Sequence, residues 1–113
     1  LNETQVVDIE ALEGLTSLQT LSLMGTQVSD IEPVKGLTNL QMHMLDHTQV
    51  SDVEPLMGLT KLEALSLTGT RVTNIEPLKG LTNLRQLWLD RTQVTDAAVA
   101  ELQKALPGLQ VER

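Results

Sequence analysis

His43, Asp46 and His47 stand within five residues of one another, and imidazole and carboxylate groups so spaced could ligate a metal or relay a proton. A second group surrounds Trp88, the only aromatic residue of the chain, with Arg85, Gln86, Asp90 and Arg91 close by in sequence. An aromatic ring among charged and amide groups has the composition of a protein-recognition hot spot or of a ligand platform. Met24, Met42 and Met44 offer soft apolar area that adapts to a partner. Whether any of these residues meet depends on the elements that carry them.

Those elements repeat. Gly14-Leu15-Thr16-Ser17-Leu18 recurs as Gly36-Leu37-Thr38-Asn39-Leu40, as Gly58-Leu59-Thr60-Lys61-Leu62 and as Gly80-Leu81-Thr82-Asn83-Leu84, with a constant period of 22 residues. Fixed self-similarity at this period marks a stacked solenoid, which needs at least about three repeats for stability. One domain over residues 1–113 is expected: a partial repeat 1–13, full repeats 14–35, 36–57, 58–79 and 80–101, and a C-terminal cap 102–113.

Within each repeat two segments differ in kind. Leu21 and Leu23 alternate with Ser22, Leu65 and Leu67 with Ser66, and Leu87 and Leu89 with Trp88, which is strand periodicity. Copies should lie on adjacent parallel strands about 4.8 Å apart, leucines inward and the intervening residue in solvent. On the return half, Ser29-Asp30-Ile31-Glu32 and its equivalents from Ser51 and Thr73 read as capping boxes. Pro33, Pro55 and Pro77 follow, and proline there permits a first turn but no long helix. Short 3₁₀ turns are therefore expected on the convex side, with Ile31, Val34 and Leu37 inward. The last repeat loses its proline, so Ala97 to Leu106 reads as a true helix capped by Asp96 and ended by Pro107-Gly108. A short strand at Leu109 to Val111 should close the sheet.

The pattern LxxLxLxx(T)xV, followed by DIEPLxGLTxL, resembles bacterial leucine-rich repeats of the internalin type over essentially the whole chain. The resemblance implies an α/β right-handed solenoid with a parallel concave sheet. It implies protein or peptide binding through that face, in a secreted or cell-surface setting. It also implies a threonine ladder, Thr26, Thr48, Thr70 and Thr92, where the family usually has asparagine.

Strand phase sorts the candidate chemistry. His43 takes the inward position of Leu21, Leu65 and Leu87, so a buried neutral histidine with one hydrogen bond is expected, and acid should oppose folding. His47 falls at the concave rim, away from His43, so no metal site is expected, and no cofactor. The column Gly25, His47, Gly69 and Arg91 accepts bulky residues and is not expected to require a positive φ. Asp46 and Asp90 are two strands apart, roughly 10 Å, which is wide for a glycosidase pair. No phosphate loop, nucleophile elbow or HExxH motif occurs, and no enzyme is expected. The expected partner surface is Trp88, Arg85, Gln86, Asp90, Arg91, Met44, Met42, Asp46, His47 and Met24, with Trp88 exposed. A spacer without a ligand, or a carbohydrate or small-ligand site at Trp88, are the alternatives.

The formal net charge is −7, which disfavours a nucleic-acid partner. No apolar run reaches the roughly 18 residues of a membrane span. Cysteine is absent, which removes disulfides and thiolate chemistry. Residues 1–57 hold nine acidic side chains and one basic, against six and seven in residues 58–113. The chain begins inside a repeat, so it is expected to be a fragment of a longer protein, able to pair end to end through an uncapped N-terminal coil.

Overall fold

A computed structural model describes Leu12 and residues 14–113. Apart from Leu12, the partial repeat expected at 1–13, and with it the basis for N-terminal pairing, lies outside the described residues. Five strands form one parallel sheet in sequence order: β1 Thr20–Ser22, β2 Met42–Met44, β3 Ala64–Ser66, β4 Gln86–Trp88 and β5 Gln110–Glu112. From β1 to β4 the register is the repeat itself, since Leu21 pairs with His43, His43 with Leu65 and Leu65 with Leu87, each 22 residues on. The last pairing departs from it: Leu87 pairs with Val111, 24 residues on, so the closing strand is Gln110–Glu112 and not the expected Leu109–Val111, because a full α-helix replaces the 3₁₀ turn in that coil and takes up two more residues. Strands β1 to β4 each start one residue before the expected leucine pair, so Leu23, Leu45, Leu67 and Leu89 follow the strand.

Short 3₁₀ turns at Glu32–Val34, Glu54–Leu56 and Glu76–Gly80 form the opposite wall. Their caps differ from expectation. No side chain caps the residue before each turn; instead Asp30, Asp52 and Asn74 accept hydrogen bonds from the backbone N–H of Glu32, Glu54 and Glu76. The carboxylate or amide reaches two residues forward in an Asx turn, so the serine and threonine one position earlier have no capping role. Helix α1, Asp96–Ala105, is capped by Thr95, whose Oγ1 accepts from Ala98 N–H at 3.1 Å. Asp96 was expected in that role; it lies one residue inside and holds Arg113 instead.

The core is a column of stacked aliphatic side chains. Leu23, Val28, Val34, Leu37 and Leu40, with their copies in the next coils, are out of solvent. Truncating one of these in a middle coil would cost about 2–5 kcal/mol, because rigid neighbours above and below cannot collapse into the hole.

Two polar columns run through this stack. Thr26, Thr48, Thr70 and Thr92 each donate a hydroxyl to the carbonyl of the leucine three residues earlier, at 2.7–2.8 Å. On the outer edge, Asn39 donates to the Thr16 carbonyl and Asn83 to the Thr60 carbonyl, clasping these two coils to the ones before them.

The turn after each strand corrects another expectation. Gly25, His47, Gly69 and Arg91 all have positive φ, at 73°, 58°, 71° and 59°. The amide of Thr26 folds back to the Leu23 carbonyl, as in a type II turn, which requires positive φ at its third residue. The amides of Gly25, His47 and Gly69 then point at Asp46, Thr68 and Asp90 carbonyls of the next coil, 2.8–2.9 Å away. Ladder and turn together impose the left-handed conformation, and His47 and Arg91 adopt it at a cost of roughly 1–2 kcal/mol each.

Candidate functional site

The face of the sheet turned away from the core carries two columns set by the register. One runs Thr20, Met42, Ala64, Gln86 and Gln110; the other runs Ser22, Met44, Ser66, Trp88 and Glu112. Met44 and Trp88 therefore stand two strands apart, about 10 Å, with Ser66 between them. Ser66 is only 2% exposed although its phase points it out of the core. Its hydroxyl donates to Thr68 Oγ1 at 3.4 Å, and Met44 and Trp88, each half-buried, flank it on β2 and β4 as an apolar strip in the same column. The expectation that Trp88 is exposed is corrected accordingly. Met42 lies beside the strip at 42% exposure.

The turns extend this face. Asp46, Thr68 and Asp90 hold equivalent places in successive coils, aligned by the amide ladder that runs past the strands. All three are half-buried. Asp46 Oδ1 is out of contact with solvent and has no hydrogen-bond partner. His47 and Arg91 are exposed at the rim, and the His47 ring lies over the Cα of Gly69.

Of the remaining expected residues, Gln86 is exposed on β4 and Met24 is half-buried in the first turn, well away from Trp88. Arg85 does not flank the ring as expected. Its guanidinium turns back to donate to the carbonyls of Thr82 and Leu84, at 3.1 and 3.4 Å. The backbone carbonyls at the coil edge draw it off the sheet face.

His43 lies beneath this surface, completely buried. Its Nδ1 is 3.0 Å from the Leu21 carbonyl, which fixes that nitrogen as the donor and leaves Nε2 as an acceptor with no partner. Burial lowers its pKa from 6.5 to about 4, against a smaller upward pull from the Leu21 bond. No cluster of three or more potential metal ligands occurs among the described residues. No helix among them is long and apolar enough to cross a membrane. Two depressions of about 180 and 400 Å³ lie on the convex side, one against α1 and one by Met57, and neither contains a residue of the strip.

Residues 60–104 match the family of leucine rich repeats (2 copies). Internalin C2 of Listeria monocytogenes superposes with a TM-score of 0.91 at 35% identity, over 98% of this chain and 48% of that one. The chain is an internalin-like leucine-rich-repeat protein. It is also similar to the Listeria monocytogenes internalin InlF, with a TM-score of 0.83 and 29% identity over 100% of this chain and 35% of that one. The internalin-like chain thus spans about half the length of internalin C2 and about a third of InlF. A protein of the Drosophila melanogaster SNF/U2A' complex shares the fold, with a TM-score of 0.79 at 20% identity over 99% of this chain and 70% of that one. No curated protein matches the internalin-like chain.

A longer regularity underlies the 22-residue period. Repeats 36–57 and 80–101 share Asn39 and Asn83, Asp46 and Asp90, and a bulky turn residue, His47 or Arg91. Repeats 14–35 and 58–79 share Ser22 and Ser66, and Gly25 and Gly69. The internalin-like chain alternates, and a period of two coils sets large side chains on β2 and β4 on either side of small ones on β3.

Proposed function

We propose that this chain is a binding module that recognises a protein or peptide through the outer face of its sheet, centred on the strip formed by Met44 and Trp88. The observation that carries this reading is the register that sets two large apolar side chains, Met44 and Trp88, on either side of the buried Ser66 on the open side of the sheet. Neither side chain is needed to fill the core, which the inward leucines complete. Apolar and aromatic residues gathered on such a face, with polar groups around them, are the usual composition of an interface centre. Leucine-rich-repeat proteins commonly bind other proteins, and one solved relative of this fold stands in a complex. Recognition by an open face, with no enclosing cavity, also fits binding better than catalysis.

The small-ligand alternative at Trp88 loses support because Arg85 is folded away from the ring. Binding of a partner should weaken by about 2 kcal/mol or more in Trp88→Ala if the ring is a hot spot. Met42, Met44 and Gln86 should give smaller losses on truncation. Full binding by Trp88→Ala and Met44→Ala, both folded, would reject the reading.

A further inference from the structure

The apolar strip and the two aspartates recur together, and their spacing defines a partner. Met44 and Asp46 come from one coil and Trp88 and Asp90 from another, with Ser66 and Thr68 of β3 and its turn between them. Asp46 and Asp90 thus face each other across Thr68, about 10 Å apart at the strand spacing. Glu32, Glu76, Glu101 and Asp96 each hold a lysine or arginine, and Asp30 and Asp52 accept backbone N–H groups, whereas Asp46 and Asp90 stand beside the apolar strip. Asp46 and Asp90 hold no cation among the described residues, and one oxygen of Asp46 lies out of solvent without a donor. The formal charge of the chain, −7, has the same sign.

We propose that this face takes an extended segment of a partner protein in which an apolar side chain and a lysine or arginine stand two residues apart. The apolar group rests on the Met44–Trp88 strip, and the cation enters between Asp46 and Asp90. Two residues of extended chain span about 6.6 Å and project to the same side. That is also the distance along the sheet from the Ser66 row to the Thr68 row, because those residues too are two apart. An ammonium or guanidinium above Thr68 lies about 5 Å from each carboxylate, so both charges attract it and it donates to the one that its side chain leans towards. The proposal rests on the binding role given above and adds the chemistry of the partner.

The test is a selection of random extended peptides, displayed on phage, against the immobilised full chain. Enrichment of an apolar-x-Lys or apolar-x-Arg pattern is expected. A synthetic peptide carrying it should bind at least about tenfold more weakly to the Asp46→Asn/Asp90→Asn double variant, and its affinity should fall with salt on the wild type but far less on the variant. Folding of the variant is checked by its thermal transition. Peptides that need Trp88 but show no preference for a basic residue would overturn this proposal and leave the binding role standing. Peptides indifferent to Trp88→Ala would overturn both. Failure to enrich any pattern, or enrichment of acidic ones, would also overturn it.

Discussion

The imidazole of His47 lies over the Cα of Gly69 in the next coil, so close that a Cβ there would sit 2.9 Å from His47 Cε1. Both residues are in the left-handed region. Gly69 is thus fixed twice, by its own φ and by its neighbour's ring. Gly69→Ala should destabilise the chain by about 1–2 kcal/mol from backbone strain, with a further steric loss. Replacing His47 by Ala in the same chain should recover the steric part only. Urea midpoints of the two single variants and the double variant measure both terms.

His47→Gly and Arg91→Gly should each stabilise. Glycine removes the left-handed strain of roughly 1–2 kcal/mol, offset in part by its greater freedom in the unfolded chain. A net gain of about 0.5–1 kcal/mol is expected from denaturant unfolding. A loss at both sites would show that their side chains hold the turn by contacts that outweigh the backbone term.

His43→Leu should stabilise by about 1–3 kcal/mol near neutral pH, because it replaces a buried ring with one unpartnered nitrogen by the side chain that the equivalent strands carry. The gain should grow in acid. With a folded pKa of about 4 and an unfolded value of 6.5, the unfolded state binds the extra proton first. Wild-type stability is therefore full above about pH 6.5 and is lost as pH falls towards about 4, by about 3 kcal/mol in all. The leucine variant should lack that slope. Thermal midpoints between pH 7 and pH 4 test it.

Thr48→Val and Thr70→Val should each cost about 1 kcal/mol. Valine keeps the shape but removes the hydroxyl donor at 2.7–2.8 Å, leaving the carbonyl of Leu45 or Leu67 with the longer turn bond from Thr48 or Thr70 N–H alone. Equal stability of the valine variants would mean that the turn N–H alone satisfies those carbonyls.

The fold could be read from the sequence because a solenoid is local. Period 22 sets the register of β1 to β4, the prolines set the 3₁₀ turns, and the inward leucines follow from alternation. The period fails at β5, where the ten-residue helix adds two residues to the coil and Val111, not Leu109, pairs with Leu87. The other misses share a cause, which is that each depends on where one polar group finds its partner. Asp30 reaches Glu32 N–H in place of Ser29, Thr95 caps α1 in place of Asp96, and Arg85 turns to Thr82. The φ of His47 was hidden because side-chain size suggested an unstrained site, whereas the amide ladder decides the conformation there. The partial cover of Trp88 required seeing that Ser66 is small and lies between two large neighbours.

Trp88 is the sole aromatic residue, so its fluorescence reports on the proposed interface and on nothing else in the chain. The most direct measurement is a titration of the wild-type chain with a tryptophan-free selected peptide, following Trp88 emission and its quenching by acrylamide. A ring half-buried in the free chain and covered in the complex predicts a blue shift and a loss of quenching that saturate together with binding measured by calorimetry. Saturated binding with unchanged emission and unchanged quenching would contradict the placement of the partner on this face.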